Sequence, residues 1–137
     1  MIKIYIGLKG CGKTKKLIGA VNDAINIEKG NVVCITEGQR LIHDIDRSAR
    51  LVDTESFDIA NFDMFVGLLS GIIAQDFDVT HIFIDSLFKS VPGESMENID
   101  AFVEAIEKLE NKFNVSFTLM ISADEASATD LVKKYMA

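Results

Sequence analysis

The spacing of apolar residues changes from a period of two to a helical period within the first third of the chain. Isoleucine occupies every second position from Ile2 to Ile6, which predicts a first β-strand ending at Gly7. After a glycine-rich segment, residues 15–28 carry apolar side chains at helical spacing. The chain is therefore predicted to begin with a strand, a loop and a helix.

The middle of the chain contains two short β-branched segments and one long apolar segment. Residues 31–36 include the run V-V-C-I, as expected for a strand buried on both faces of a parallel sheet, and residues 50–53 predict a short third strand. Between them, residues 41–49 alternate aliphatic and charged side chains, which predicts either a short helix or an irregular segment. Residues 62–75 are almost wholly apolar, and their length favours a helix buried under the sheet.

The last part of the chain continues the alternation of strands and helices. Residues 80–85, T-H-I-F-I-D, predict a fourth strand that ends in a carboxylate, and residues 115–121 predict a fifth. A helix is predicted over 96–113 and a short final one from about Ala126. This pattern predicts an α/β fold, a three-layer α/β/α sandwich around a mostly parallel five-stranded sheet.

The size of the chain limits what the fold contains. A chain of 137 residues with 48% hydrophobic residues is long enough to bury one core and short for two. No Gly/Ser-rich linker or internal repeat divides it, so residues 1–137 are predicted to form a single domain. Since little room is left for a substrate domain or a large lid, we expect it to act as a minimal core or with a protein partner, including a second copy.

Charge and hydropathy exclude several classes of protein. A net charge of −7 and a pI near 4.7 argue against a broad surface that follows nucleic-acid phosphates. The longest uncharged run, residues 64–75, is too short to span a bilayer, and residues 1–6 lack the layout of a signal peptide. We therefore expect a cytoplasmic protein without a membrane span. Cys11 and Cys34 show no metal-ligand spacing and no disulfide framework.

The segment after the first predicted strand carries the clearest chemistry. It reads G-L-K-G-C-G-K-T and fits G-x-x-x-x-G-K-[ST] at every fixed position, between a strand and a helix. Its glycines allow consecutive N–H groups to point inward, and the start of the helix adds its positive end. The predicted ligand is a nucleoside triphosphate. Its phosphates would be bound by Gly7, Leu8, Lys9, Gly10, Cys11, Gly12, Lys13 and Thr14.

Three side chains have predicted roles at the triphosphate and its magnesium ion. Lys13 would reach the β- and γ-phosphates as a point charge, and the Thr14 hydroxyl would ligate Mg²⁺. Asp85 follows a run of mainly apolar residues, so its carboxylate is expected at the carboxyl end of a buried strand, where the phosphate loop also lies. There it would hold Mg²⁺ through a water molecule. The alternative for Asp85 is a helix-capping role.

Glu37 is the candidate for a catalytic base. It directly follows the second predicted strand in I-T-E-G-Q-R and is therefore also expected at the carboxyl edge of the sheet. A carboxylate at this place would accept a proton from an attacking water molecule. The alternative is an ordinary exposed loop glutamate, and position alone does not separate the two.

The order of these landmarks resembles the RecA-like group of P-loop ATPases. The stretches I-T-E-G-Q-R-L-I-H-D-I-D and H-I-F-I-D-S-L more narrowly resemble short clostridial and related bacterial proteins described as ATP-binding or twitching-motility-like ATPases. The resemblance implies a sheet ordered first, fifth, fourth, second, third strand. It also implies that Glu37 polarises the attacking water and that Ser122 lies near the γ-phosphate. Motor and recombinase activities are not implied, because those proteins carry extra domains.

Magnesium-dependent binding and hydrolysis of ATP is thus the leading prediction, with two alternatives. One is a nucleotide-dependent switch that hydrolyses ATP very slowly and signals to a partner. The other is a small kinase related by fold to thymidine kinases, in which Arg40, Arg47 or Arg50 serves an acceptor phosphate, although the sequence indicates no lid or acceptor pocket. Guanine specificity is unsupported, because N-K-F-N at 111–114 lacks the aspartate of N-K-x-D.

Overall fold

The computed structural model describes all 137 residues and contains one five-stranded sheet. Every neighbouring pair of strands in this sheet is parallel. The strands are β1 (Ile2–Gly7), β2 (Asn31–Thr36), β3 (Arg50–Asp53), β4 (Val79–Ile84) and β5 (Ser116–Ser122). The helices are α1 (Lys13–Ile27), α2 (Phe62–Gln75), α3 (Leu87–Ser90), α4 (Ile99–Phe113) and α5 (Asp130–Tyr135). The predicted α/β class and the five-stranded sheet are confirmed.

The strand order is β1-β5-β4-β2-β3, the order that the resemblance implies. All five strands point in one direction, so their carboxyl ends meet at a single edge of the sheet. At that edge β5 separates β1 from β4, and β4 lies beside β2. The residues that follow these four strands are therefore neighbours in space.

Two hydrophobic cores lie on opposite faces of the sheet. Val33 and Ile35 belong to the larger core, which includes the apolar residues of α2 and α4. Val32 and Cys34, the alternate positions of the same strand, belong to the smaller core together with α1. Because both sets of side chains are buried, helices cover the sheet on both faces. This arrangement is compatible with the predicted three-layer sandwich.

The helix boundaries follow local capping chemistry. The side chain of Asn61 accepts a hydrogen bond of 2.9 Å from the backbone N–H of Met64, and Asp63 places a carboxylate in the first turn of α2. Between α2 and β4, the Asp76 carboxylate accepts a hydrogen bond of 2.9 Å from the Asp78 N–H. This bond helps to turn the chain back toward the sheet. No helix in the chain combines the length and the apolar character needed to cross a bilayer.

Of the two alternatives predicted for residues 41–49, the structure shows the irregular one. The Asn22 side chain of α1 hydrogen bonds to Asp44 O and Asp46 N within these turns. Two other local predictions need correction. The predicted helix over 96–113 begins as a separate 3₁₀ turn, Met96–Asn98, before α4. The final helix also starts later than predicted, at Asp130 after a 3₁₀ turn.

His81 on β4 is a buried core histidine. Its Nδ1 lies 3.0 Å from Glu28 Oε1 and its Nε2 lies 2.8 Å from Thr118 Oγ1. Burial lowers the pKa of His81 from its ordinary value of 6.5 and outweighs the opposite effect of the Glu28 carboxylate. The ring is therefore neutral near pH 7. Since a carboxylate only accepts, Nδ1–H donates to Glu28 and Nε2 accepts from the Thr118 hydroxyl.

This neutral histidine predicts a loss of stability in acid. The unfolded chain binds a proton at His81 near its ordinary pKa of 6.5, whereas the folded chain binds it only at lower pH. The contribution of His81 to the stability of the folded state is full above that pKa and is lost as the pH falls below it. Between about pH 7.5 and 5.5, the melting temperature of the wild type should therefore fall more steeply than that of His81→Gln. Thermal denaturation at both pH values measures this difference, and parallel slopes would contradict it.

Candidate functional site

The carboxyl edge of the sheet carries an open cleft of about 560 Å³, here called the main cleft. It is formed by the loop after β1, the start of α1, Arg40 after β2, the residues that follow β4 and the last residue of β5. Its walls include Lys9, Lys13, Thr14, Arg40, Asp85 and Ser122. Most of the site residues predicted from the sequence thus meet in one place.

The loop after β1 has a backbone that only glycine adopts readily. Gly10 has a φ of +90° and Gly12 a φ of +89°, both in the left-handed region. At Gly7 a Cβ atom would lie 2.7 Å from Cys11 Sγ, so the loop closes tightly over its own first residue. Each fixed glycine of the sequence pattern therefore has a conformational or steric reason.

The start of α1 leaves its backbone donors free. Gly12 is the N-cap and has no side chain to accept from the first turn, and no acidic residue lies in that turn. The N–H groups of Lys13 and Thr14 make no hydrogen bond within the protein. Unpaired donors and the positive end of the helix dipole together favour an anion at this point of the main cleft.

Lys13 lies across the loop that precedes it. Its Nζ donates hydrogen bonds to Gly7 O at 2.8 Å and to Leu8 O at 3.0 Å, and it lies 3.4 Å from Cys11 Sγ. These acceptors are neutral, and no carboxylate forms an ion pair with Lys13. The positive charge of Lys13 is therefore uncompensated inside the loop.

The two sides of the loop face different surroundings. Lys9, Gly10, Gly12 and Thr14 line the main cleft, whereas Gly7, Leu8 and Cys11 line a separate hollow beside Tyr5 and Asp124. Lys13 borders both. The Leu8 side chain is 64% exposed. Gly7, Leu8 and Cys11 are thus not part of the wall of the main cleft.

Basic side chains dominate the main cleft, although the chain as a whole is acidic. The walls contain five of them, Lys9, Lys13, Lys15, Arg40 and Lys89, and one carboxylate, Asp85. The net charge of the protein is −7. Positive charge is thus concentrated at a place where the helix-end donors of α1 are also free, which favours a polyanionic ligand there.

Asp85 is 1% exposed and is held by an arginine that the sequence analysis did not pair with it. The backbone N–H of Asp85 donates to Ile35 O at 2.9 Å, which fixes it at the end of β2. Its carboxylate accepts a hydrogen bond from Arg40 Nη2 and another, at 3.3 Å, from Ser86 Oγ. Arg40 Nη2 also donates to Ser86 Oγ at 3.0 Å. Because an unpaired buried carboxylate is strongly destabilising, Arg40 stabilises Asp85 in this conformation.

The other two arginines named from the sequence lie away from the main cleft. Arg50 begins β3, at the amino end of that strand, and its Nη1 donates to Gln75 Oε1 at 3.2 Å. Arg47 lines a hollow formed by the irregular residues 42–49 and by Leu51 of β3. Of the three candidates for a phosphate-binding arginine, the structure brings only Arg40 to the loop.

Glu37 lines a second cavity of about 370 Å³ next to the main cleft, here called the side cavity. The walls of the side cavity come from residues 54–60 and 89–92 as well as Glu37. Gly38 follows with a φ of +88°, and its N–H donates to Asp53 Oδ1 at 2.8 Å. This turn directs the chain toward β3, and Glu37 is not part of the wall that contains Lys13 and Asp85.

Lys89 lies between the two cavities, and the sequence did not predict it as a site residue. It lies on α3, a four-residue helix whose preceding residue, Ser86, has a φ of +51°. Lys89 is exposed and belongs to the walls of both the main cleft and the side cavity. A helix of one turn shows no hydrophobic period, so no sequence signal predicted it.

The donor set of the main cleft fits a magnesium ion shared with phosphates. No group of three or more His, Cys, Asp or Glu side chains is placed to hold a metal ion by itself. Thr14 and Asp85 nevertheless line the same cleft and offer one hydroxyl and one carboxylate. Mg²⁺ is commonly held by one or two protein oxygens together with phosphate oxygens and water. The residues present therefore suit an ion that arrives with a triphosphate.

Neither protein-family models nor curated proteins give a match to this chain.

Proposed function

We propose that this protein is a minimal RecA-like P-loop ATPase that binds ATP with Mg²⁺ in the main cleft and hydrolyses it. The observation that carries the proposal is the cleft itself, in which five basic side chains and one carboxylate surround the unpaired start of α1 in an acidic protein. Triphosphate oxygens match both the free N–H donors and the uncompensated charge of Lys13.

Lys13 changes partners when the triphosphate binds. Its hydrogen bonds to Gly7 O and Leu8 O are replaced by bonds to the β- and γ-phosphates. The phosphates also accept from the backbone N–H groups of Lys13 and Thr14. Thr14 and Asp85 would hold Mg²⁺, which when bound neutralises phosphate charge. The contribution of the protein itself is to position the triphosphate and to stabilise the charge that develops in the transition state.

Arg40 must release Asp85 for this arrangement to form. The Asp85 carboxylate is buried and already accepts from Arg40 and Ser86, so it serves an ion through water only after one of these partners moves. The released guanidinium remains in the wall of the main cleft. Phosphoryl transfer needs a cation in addition to the loop lysine, and Arg40 supplies it from within the chain.

Glu37 accepts the proton of the attacking water, and Ser122 lies beside the γ-phosphate. Ser122 is paired in register with Gly7, the first residue of the loop, and lines the main cleft. The water attacks from the direction of the side cavity, where Glu37 lies. Lys89, present in both walls, borders the space between them.

A second candidate function is phosphoryl transfer to a small molecule, and the side cavity favours it. A cavity of about 370 Å³ is within the range of small-molecule sites and lies next to the proposed triphosphate site. The side cavity is therefore the candidate acceptor pocket in this second function. A switch that binds ATP without appreciable turnover remains the third candidate.

Magnesium dependence tests the proposed function. Calorimetric titration with ATP should give much tighter binding in excess Mg²⁺ than in EDTA, with ADP release only in Mg²⁺. Thr14→Ala and Asp85→Asn should reduce the difference between the two affinities, because each removes an oxygen that would hold the ion. Equal affinities in Mg²⁺ and EDTA for the wild type would contradict the proposal.

Arg40→Ala provides a matched comparison for these two variants. It removes the side chain that competes for Asp85 while leaving both oxygen donors in place. The Mg²⁺ concentration needed for half of the full effect on ATP affinity should therefore fall in Arg40→Ala and rise in Asp85→Asn. A change in the same direction for both would show that the Arg40–Asp85 pair does not compete with the ion.

A further inference from the structure

We propose that Lys89 is a further catalytic residue. Its ammonium group contacts the γ-phosphate on the side that faces Glu37, and the contact is strongest in the transition state of hydrolysis. This role rests on the proposed function, because the γ-phosphate belongs to the triphosphate in the main cleft. The position of Lys89, its free charge and its fixed backbone each support the role.

Lys89 is the basic side chain that the two cavities share. It belongs to the wall of the main cleft together with Lys13 and Asp85, and to the wall of the side cavity together with Glu37. The other four basic residues of the main cleft do not line the side cavity. Lys89 is therefore the cation placed where the γ-phosphate, the attacking water and Glu37 would meet.

The charge of Lys89 is available to a ligand. Its side chain is exposed and forms no ion pair. Arg40, in contrast, donates to both Asp85 and Ser86 and lines only the main cleft. Arg40 thus acts on the triphosphate from the side of Asp85 and only after its own bonds break, whereas no ion pair has to break before Lys89 meets an anion.

A cation at this position offsets a repulsion within the proposed site. Glu37 is negatively charged and would act on a water molecule beside a γ-phosphate that is also negative. Glu55 and Asp58 add two more carboxylates to the wall of the side cavity. Because like charges repel more strongly in a partly desolvated cleft than in bulk water, the site needs a positive charge between base and phosphate. The ammonium group of Lys89 attracts both.

The backbone of Lys89 is held in place by the core. Leu87 and Val91, two residues away on either side, are both fully buried and belong to the larger core. The N–H of Lys89 donates to Ser86 O at 2.9 Å, and the N–H of Val91 donates to Leu87 O at 3.0 Å. A contact between Lys89 and a phosphate therefore restricts the side chain alone and requires no rearrangement of the backbone.

The turn before α3 links Lys89 to the proposed magnesium site. Ser86 has a φ of +51°, in the left-handed region that serine rarely adopts. Its Oγ accepts a hydrogen bond of 3.0 Å from Arg40 Nη2. Strained backbone of this kind persists only where the surrounding structure holds it, and it is frequent at functional sites. The turn places α3, and with it Lys89, directly after Asp85 at the carboxyl edge of the sheet.

The chemical step is the attack of water on the γ-phosphorus. The water oxygen bonds to the γ-phosphorus as Glu37 accepts a proton, and the bond from the γ-phosphorus to the bridging oxygen breaks. ADP leaves with that electron pair, and Glu37 then returns the proton to water. The products are ADP, inorganic phosphate and a proton. Lys89 stays protonated and donates to a non-bridging γ-oxygen, more strongly as the phosphoryl group becomes planar.

Lys89→Ala tests the role. It should lower kcat for ATP hydrolysis by ~10²-fold, the scale for loss of one preorganised donor, and change the affinity for Mg-ATP by less than ~3-fold. Fluoroaluminate with Mg-ADP is the second probe, because it imitates the planar phosphoryl group and requires no turnover. Calorimetry should show unchanged affinity for Mg-ADP and ~10²-fold weaker binding of fluoroaluminate to the Mg-ADP complex. Lys89→Arg, which keeps the charge, should recover part of both losses.

Lys15→Ala is the matched control. It removes an exposed basic side chain from the wall of the main cleft, but Lys15 does not line the side cavity. It should therefore change the affinities for Mg-ADP and for Mg-ADP with fluoroaluminate by the same factor. If thermal denaturation shows that Lys89→Ala is poorly folded, Lys89→Met keeps the aliphatic part of the side chain, removes the charge and takes its place.

The two probes separate the role of Lys89 from the proposed function. If the wild type binds Mg-ATP, and Lys89→Ala binds fluoroaluminate with Mg-ADP as tightly as the wild type, the role of Lys89 is overturned and the proposed function stands. Equal losses for Mg-ADP with and without fluoroaluminate would also overturn it, because they indicate a general charge effect. If the wild type binds neither Mg-ATP nor Mg-ADP, the proposed function itself fails, and the role of Lys89 with it.

Discussion

Lys13→Ala is expected to weaken binding of Mg-ATP by at least ~10²-fold while leaving the fold intact. A hydrogen bond to a charged group contributes about 1.5–3 kcal/mol, and Lys13 would make two of them, to the β- and γ-phosphates. Their combined loss of about 3 kcal/mol or more corresponds to roughly 10²-fold or more in affinity. The stability effect should be small, because the Lys13 side chain is only half-buried and its present acceptors are loop carbonyls. Calorimetric titration gives the affinity, and thermal denaturation tests the fold.

Lys16→Ala is the matched control for this loss. It removes the same charge three residues further along α1, but Lys16 lies beside the Tyr5 ring, at 5.8 Å, and not in the wall of the main cleft. Its effect on affinity should be less than ~3-fold, the scale of a screened surface charge. Unchanged affinity in Lys13→Ala, or equal losses in both variants, would contradict a specific phosphate contact.

The central elements of the fold were predictable because their signals are continuous in the sequence. The strand Asn31–Thr36 and the helix Phe62–Gln75 have the bounds predicted for them. In both, a mainly apolar run ends at polar or turn-forming residues, which marks the boundaries of the element. The helix before β5 was predicted about one turn too long, because Met96–Asn98 has helical composition but forms a separate 3₁₀ turn capped by Ser95.

The main cleft was only partly predictable, because some of the residues that meet in it are far apart in the sequence. The loop residues are contiguous, so their pattern is visible without a fold. Arg40 and Asp85 are separated by 45 positions and meet because β2 lies beside β4. That pairing of strands follows from tertiary packing and not from local pattern. The pair could have been anticipated only by combining the implied strand order with the two strand ends.

The side cavity gave no sequence signal at all. Its walls combine residues after β3 with residues of an unpredicted one-turn helix, and its shape depends on the contact of Gly93 with Ala60. Glu37 was predicted at the carboxyl edge, and it lies there, but the turn at Gly38 decides which cavity it borders. The sequence position of Glu37 therefore predicted the edge of the sheet at which it lies, but not the cavity that it borders.

Glu37→Gln is expected to leave Mg-ATP binding unchanged and to lower turnover by ~10²-fold or more, the usual scale for loss of a general base. Glutamine keeps the shape and hydrogen bonding of Glu37 but cannot take a proton. Asp85 is unsuited to this role, because its buried carboxylate is engaged by Arg40 and would be committed to the ion. ADP release under saturating Mg-ATP measures turnover, with Glu104→Gln as a remote control. If turnover survives Glu37→Gln while Asp85→Asn alone abolishes it, Glu37 is not the base, and the RecA-like assignment of this residue is wrong.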